Sequence, residues 1–260
     1  MSFFVLCLLC LVQGFTEFLP VSSSGHLILI EQLFGVEDNL LLINLFLHLA
    51  TLLAVIVVYR KTIWKLIKKP FQPLMYKLCL STLITLVFAF SYKYFNLESF
   101  SYKIYGICFL VTAALLMLTY SAQRRMVAVK KAGVSIKSAI VSGIAQGFAV
   151  FPGLSRSGTT IASLILAGNS ESESSEYSFL LSIPIIVGGF VLELISSEGM
   201  KLSFYGLSVF ECAAAFVMTF IVSIISLKIT IKMLKNNKFN WFACYLFVLG
   251  LIVTIFTFAK

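Results

Sequence analysis

Gln13-Gly14-Phe15-Thr16-Glu17-Phe18-Leu19-Pro20-Val21-Ser22-Ser23-Ser24-Gly25 returns 133 residues later as Gln146-Gly147-Phe148-Ala149-Val150-Phe151-Pro152-Gly153-Leu154-Ser155-Arg156-Ser157-Gly158. Each copy interrupts an otherwise apolar stretch, about 3–35 and about 138–169, with Pro, Gly and Ser. Pro and Gly oppose a continuous helix. Outside these stretches, apolar runs cover about 41–59, 78–94, 104–120, 178–195, 205–228 and 240–258. Shifted by the same 133 residues, the first three fall on the last three. The chain therefore reads as one tandem repeat, about 1–130 and about 131–260, of a broken stretch followed by three spans.

The composition agrees with a membrane protein. Of 260 residues, 60% are hydrophobic and 12% charged, whereas soluble domains carry about 45–50% apolar and about 25% charged residues. Mean hydropathy is +1.00. A water-soluble domain, a disordered chain and a collagen-like fibre are excluded. A β-barrel needs alternating segments of about ten residues, while these runs are unbroken and longer, so the spans are helices. No separate soluble domain fits in the remaining length.

Net charge is +9, but its placement argues against nucleic acid. Fifteen of the 20 bases fall in three clusters: Arg60, Lys61, Lys65, Lys68, Lys69 and Lys77; Arg124, Arg125, Lys130, Lys131 and Lys137; Lys228, Lys232, Lys235 and Lys238. They lie between apolar runs and read as loops, and the positive-inside rule puts all three in the cytoplasm, near anionic headgroups. Residues 137 and 177 then lie on the same side, so 138–169 forms a re-entrant hairpin. By analogy 3–35 forms one from outside, with an extra crossing by 3–19 left open. Three crossings per repeat invert the second copy. The expected fold is a single all-α polytopic transmembrane domain of six helices plus two re-entrant hairpins in an inverted-topology repeat, an architecture of transporters. Phe3–Val12 lacks a basic n-region and a small-residue cleavage site, so it reads as part of the mature chain rather than a signal peptide. Cys7-x-x-Cys10 has no second pair to complete a zinc site and reads as two small residues one turn apart.

Non-helical backbone at membrane depth must be buried in protein or line a wet cavity. Ionisable groups there are functional candidates. The two breaks hold three: Glu17, His26 and Arg156. If the breaks meet, these share a pocket with Gln13, Ser22, Ser23, Ser24, Gly25, Ser155, Ser157, Gly158, Thr159 and Thr160. Arg156 offers a permanently charged fork suited to phosphate oxygens. A Ser-Gly turn opening a half-helix aims free N–H groups at an anion. A hydroxyl beside an imidazole is a nucleophile–base pair. A carboxylate at an anion site has a use in holding a divalent cation or moving a proton. These features suggest binding or hydrolysis of a phosphate or pyrophosphate at a membrane.

Gln13 to His26 and Phe151-Pro-Gly-Leu-Ser-Arg-Ser-Gly-Thr-Thr160 strongly resemble the two signatures of bacterial undecaprenyl-diphosphate phosphatases of the bacitracin-resistance type. Ser175-Glu-Tyr-Ser-Phe-Leu-Leu-Ser-Ile-Pro184 resembles the segment that follows in that family. The resemblance extends over essentially the whole chain. It implies removal of the terminal phosphate of undecaprenyl diphosphate in the bacterial plasma membrane. That activity recycles the lipid carrier of peptidoglycan synthesis and confers bacitracin resistance. It also implies a pocket facing the periplasmic or outer side and a divalent cation, Mg²⁺ or Ca²⁺. Many relatives carry a carboxylate where Gln13 stands. A Gln cannot serve as a charged metal ligand, so the substitution shifts the metal or proton role onto Glu17. His26 matches the signature histidine and Arg156 the phosphate-binding arginine. Ser23, three residues before His26, is the expected nucleophile, with water activated by His26 or Glu17 as the alternative. The partners are the polyprenyl diphosphate, membrane lipids and no nucleic acid, with a homodimer as one form of assembly.

The rival reading is a polyprenyl-phosphate transporter or flippase, which the inverted repeat also suits. The asymmetry of the copies argues for catalysis: Glu17 and His26 align with Val150 and Thr159, and Arg156 with Ser23. A second membrane phosphatase superfamily shares Ser24-Gly25-His26, but its later histidine is absent, since no His follows Arg156. Simpler expectations attach to several residues. Glu17 could pair structurally with Arg156, His26 could cap its helix, and the serines could cap and line the pocket. His48 is expected in an interhelical hydrogen bond, and Glu193 and Glu211 at the interface. Glu171, Glu173 and Glu176 are expected in a solvated loop, and Gly188-Gly189 at a close helix contact.

Overall fold

The computed structural model describes residues 3–36, 41–125, 133–196 and 207–259. Every regular element among them is a helix. In chain order these are α1 (Phe3–Thr16), α2 (Ser23–Leu33), α3 (Leu41–Val58), α4 (Arg60–Lys68), α5 (Pro73–Tyr94), α6 (Glu98–Arg125), α7 (Ile136–Phe148), α8 (Arg156–Leu166), α9 (Glu171–Ser196), α10 (Val209–Lys235) and α11 (Phe239–Ala259). Five helices are long and apolar enough to cross a membrane, and six if α3 and α4, bent by 79° at Tyr59, count as one span.

Both apolar stretches with internal breaks are broken helix pairs, α1–α2 and α7–α8. At the 133-residue offset the bounds of α2 fall on those of α8. The breaks end in equivalent caps. Ser22 and Ser155 accept the N–H groups of Gly25 and Gly158, three residues on, and so satisfy one of the free donors of each helix start. Ser22 does so at φ 69°, a left-handed conformation unusual for a residue with a side chain.

The molecule is built inside out relative to a soluble protein. Large apolar side chains such as Leu83, Val87, Phe90 and Phe256 are exposed on the outer face, where lipid tails solvate them. Polar hydroxyls are buried between helices, among them Ser81, Thr85, Ser142, Thr219 and Ser223. Lipid supplies no hydrophobic drive for helix association, so close approach and interhelical hydrogen bonds hold the bundle. On α6 and α11, Gly106 and Gly250 face one another: a Cβ on Gly106 would stand 2.6 Å from Thr254 Oγ1, and one on Gly250 3.0 Å from the Gly106 carbonyl. Each broken pair leans on a long helix of the opposite half. Gly14 of α1 fits against Val222 and Thr219 of α10, and Gly143 of α7 against Ser81 of α5. The Thr85 hydroxyl on α5 donates to the Gly143 carbonyl and accepts from Gln146 Nε2 on α7. A central cluster including Phe18, Tyr105, Phe109 and Phe179 fills the space between the breaks and their neighbours. Phe18 lies within the first break, fully buried and edge-on to Phe179.

Several expectations change. The first basic cluster is not only a loop: Arg60–Lys68 is helical, with Leu66 buried and its bases outward. Gly188-Gly189 is not a close contact, because a Cβ on either would meet nothing within 4 Å. The acidic cluster is not a solvated loop: its three glutamates sit in the first turns of α9. There the Glu173 carboxylate accepts from the Gly133 N–H and the Ser170 hydroxyl, and Glu176 from Thr62. Glu211 closes a capping box with Ser208 at the start of α10, in keeping with an interfacial place. The side chains of Glu193 and Arg125, and Lys130 and Lys131, lie outside the described residues.

Candidate active site

The two breaks touch. The Ser157 hydroxyl donates to the Leu19 carbonyl at 3.0 Å, and Arg156 Nη2 pairs with Glu17 Oε1. Both side chains are largely removed from the surface, 17% and 5% exposed. The other oxygen of Glu17 accepts from the Ser23 hydroxyl at 2.6 Å and from Gln13 Nε2 at 3.1 Å. His48, from α3, brings its Nε2 to 3.6 Å of the same oxygen.

Beside this cluster lies a cavity of about 290 Å³. Its polar wall is Thr16, Glu17, Ser22, Ser23, Ser24, His48, Ser155 and Arg156. Its apolar wall includes Leu45, Leu154, Ile185 and Ile186. The N-termini of α2 and α8 both open on it, so two sets of free backbone N–H groups and two positive dipole ends converge there. Arg156 Nη1 is buried and has no hydrogen-bond partner. A buried charged donor without an acceptor costs more than a neutral one. Arg156 lines the cavity, so an anion that settles against its guanidinium with a small turn of the side chain would supply that acceptor. The strained backbone of Ser22 belongs to the same wall, as strain often does at functional sites.

The remaining candidates stand behind the wall. Thr159 and Thr160 donate to the Arg156 carbonyl, and Thr160 also meets the Ser178 hydroxyl. Ser157 and Gly158 are buried in the first turn of α8. Gly25 is a close contact, since a Cβ there would stand 2.5 Å from Phe109 Cζ and 3.0 Å from Gly153 Cα. Gln13 reaches the cluster only through Glu17.

The pairing of Ser23 with His26 expected from their spacing is corrected. His26 Nδ1 lies 2.7 Å from the Ser22 carbonyl, and Nε2 lies 2.7 Å from the Tyr245 hydroxyl on α11. A carbonyl only accepts, so Nδ1 carries the hydrogen and Tyr245 donates to Nε2. The ring stacks on Tyr245 and meets Phe109 edge-on. Both nitrogens are thus engaged away from Ser23, whose hydroxyl goes to Glu17 instead. His48 is the residue that sequence reasoning underrated. Its Nδ1 is 2.6 Å from the Asn44 carbonyl, its Nε2 is turned to Glu17, and the residue lines the cavity. An ionisable side chain in mid-span was the available signal.

A divalent cation needs oxygen ligands. Among the described residues no three His, Cys, Asp or Glu side chains stand together for one. Gln13 Oε1 is buried without a partner, but Gln13 turns its Nε2 to Glu17 and does not line the cavity. Glu17 is the carboxylate on the cavity wall, and one carboxylate completed by phosphate oxygens and water suits a magnesium-type site, which rarely has an all-protein cage.

Comparison with known proteins adds the family. Residues 6–252 match the model of the family described as bacitracin resistance protein BacA. The chain belongs to that family. Its relatives include the undecaprenyl-diphosphatase of Carboxydothermus hydrogenoformans, 34% identical over 98% of this chain and 97% of that one. Undecaprenyl-diphosphatase 1 of Shouchella clausii is 37% identical with the same coverage. The undecaprenyl-diphosphatase of Christiangramia forsetii is 34% identical over the whole of both chains.

Proposed function

We propose that this BacA-family chain is a membrane phosphatase that hydrolyses undecaprenyl diphosphate to undecaprenyl phosphate and inorganic phosphate. Names of full-length relatives support the substrate, and they favour hydrolysis over transport. The observation that carries the reading is the buried, unpartnered Arg156 Nη1 beside a cavity that also receives two helix N-termini.

The diphosphate enters with its terminal phosphate on Arg156 Nη1 and the N–H groups that open α2 and α8. These donors stabilise charge on the equatorial oxygens during transfer. The prenyl chain leaves along the apolar wall of Leu45, Ile185 and Ile186. Ser23 attacks the terminal phosphorus, Glu17 takes the hydroxyl proton across the existing 2.6 Å hydrogen bond, and undecaprenyl phosphate departs. Glu17 gives up that proton to solvent. Water then attacks the phosphoserine, Glu17 takes one water proton and passes it to Ser23 Oγ as that oxygen leaves, and the other water proton stays on the inorganic phosphate. Arg156 Nη2 stays on Glu17 Oε1 while the phosphate takes the other guanidinium nitrogen, and the second carboxylate oxygen, already bonded to Ser23, does this work. His48 lies against Glu17 on the far side from Arg156 as a second polar neighbour. His26, held by Tyr245, fixes the first turn of α2 and thereby Ser23. Glu17 would hold a divalent cation, Mg²⁺ or Ca²⁺, together with substrate oxygens. When bound, it would neutralise phosphate charge.

In this reading the halves are inverted repeats, the broken pairs are re-entrant, and the pocket opens to the outer face of the bacterial plasma membrane. The deciding experiment is phosphate release from undecaprenyl diphosphate by the purified protein in detergent, with and without EDTA, beside Arg156→Ala and Glu17→Ala. Release lost in both variants, with folding intact, is expected. Near-normal turnover in either refutes the assignment.

A further inference from the structure

A second cavity, of about 410 Å³, lies under α4. Ile63 and Leu66 of α4 form its roof, Met75 and Leu78 of α5 one wall, and Leu180 and Ile183 of α9 the other. Its outer lip is Cys79 and Leu83, both exposed, so it opens sideways toward lipid. It is separate from the reaction pocket: Pro184 of α9 borders this cavity, while the next residue, Ile185, lines the other.

The helix above it is amphipathic and basic. After the 79° bend at Tyr59, α4 runs across the end of α3 instead of along the bundle. Lys61, Lys65 and Lys68 follow at intervals of four and three, which puts them on one stripe, and all three are exposed. No acidic residue occurs from Arg60 to Lys77. Among the described residues no carboxylate lies within ion-pair distance of these lysines. The nearby Glu176 is bonded to Thr62 on the flank of that stripe. Trp64, Ile67 and Phe71 project outward beside the bases, with Lys68 Nζ 5.2 Å from the Trp64 ring centre. Exposed aromatic and basic residues on a helix crossing the bundle mark the depth of the headgroups.

We propose that α4, α5 and α9 form a binding site for one anionic phospholipid of the leaflet at that end of the molecule. Its headgroup phosphate is held by Lys61, Lys65 and Lys68, and an acyl chain enters the cavity past Cys79 and Leu83. Charge complementarity selects the headgroup: three unpaired lysines without a counter-ion would repel one another around a neutral lipid and are satisfied by a phosphodiester with no choline to offset it. The apolar cavity below selects a lipid over a free phosphate.

The test needs no enzymatic readout and is therefore independent of the phosphatase reading. Delipidated full-length protein is titrated with phosphatidylglycerol, and separately with phosphatidylcholine of the same chains, and adducts are counted by native mass spectrometry. One phosphatidylglycerol is expected to bind at least tenfold more tightly than phosphatidylcholine. Each Lys→Gln substitution at positions 61, 65 and 68 should weaken it about fivefold. Thr82→Trp, which fills the cavity and leaves every charge in place, should weaken it as well. If that variant is not monodisperse, Leu83→Trp at the exposed lip replaces it. Equal affinity for the two lipids, an unchanged preference in the triple lysine variant, or unchanged binding with the cavity filled each overturns the proposal.

Discussion

Arg156→Lys isolates the work of the guanidinium fork. In the native site Nη2 holds Glu17 and Nη1 is buried and free, so one side chain serves the carboxylate and the phosphate in two directions. A lysine keeps the charge but is a single point and cannot present two nitrogens in a fixed plane. Its ammonium stays with Glu17, because that carboxylate is only 5% exposed, and a buried ion stripped of its partner costs about 3–5 kcal/mol. The substrate then loses one charge-assisted hydrogen bond, about 1.5–3 kcal/mol. That corresponds to a fall of about 10- to 150-fold in kcat/KM. Because the ion pair survives, thermal stability should be close to native, which an Arg156→Ala variant does not guarantee. The assay is phosphate release over a range of undecaprenyl diphosphate concentrations, beside a melting curve and a size-exclusion profile. A folded Arg156→Lys protein within threefold of native kcat/KM refutes the assignment of Nη1 to the phosphate.

Other outcomes follow from the same geometry. Ser23→Ala should lower kcat at least a thousandfold and Ser24→Ala less than tenfold, because only Ser23 is bonded to Glu17; equal effects in initial-rate assays count against Ser23 as nucleophile. Gly25→Ala should destabilise by about 1–3 kcal/mol, since its Cβ meets Phe109 and the Gly153 backbone. Gly188→Ala, with open space around it, should be neutral or up to about 1 kcal/mol stabilising; thermal melts separate the two. EDTA should suppress turnover, and Gln13→Glu should lower the Mg²⁺ concentration for half-maximal rate by placing a second carboxylate beside Glu17; an unchanged midpoint argues against a cation there. Tyr245→Phe should cost about 1 kcal/mol of stability through the lost bond to His26 and reduce kcat less than Ser23→Ala; a loss as large would give His26 a direct part in the chemistry.

What could be read in the sequence was what is local in the chain. The long apolar runs, the two breaks and their shared offset depend on neighbouring residues, and the helices follow them closely. So do the caps, since Ser22-x-x-Gly25 and Ser155-x-x-Gly158 act within one turn. Contacts between helices were not legible. The i−3 spacing of Ser23 and His26 suggested a pair, but the rotation of α2 turns the imidazole toward Tyr245, 219 residues away. His48 read as one end of an interhelical hydrogen bond, and nothing in α3 alone says that its face meets Glu17. Gly188-Gly189 looked like a packing motif, yet whether a small residue admits a neighbour depends on whether one is there. The basic segment after α3 read as a loop by charge count, while its turn-by-turn alternation of Ile63 and Leu66 with lysines suits a helix lying across the bundle.

The crossed packing of the halves sets a constraint on biogenesis. Gly14 of α1 finds its neighbours, Thr219 and Val222, only on α10. At about 5–20 residues per second of synthesis, some 200 intervening residues take on the order of 10–40 s. Through that interval the backbone of the first break, with Glu17 and the strained Ser22, is already made but lacks its neighbour α10. A broken polar turn cannot rest against hydrocarbon. The nascent chain must hold this segment at the membrane surface or under the shelter of the insertion machinery until α10 arrives, so the last steps of synthesis complete the first element made.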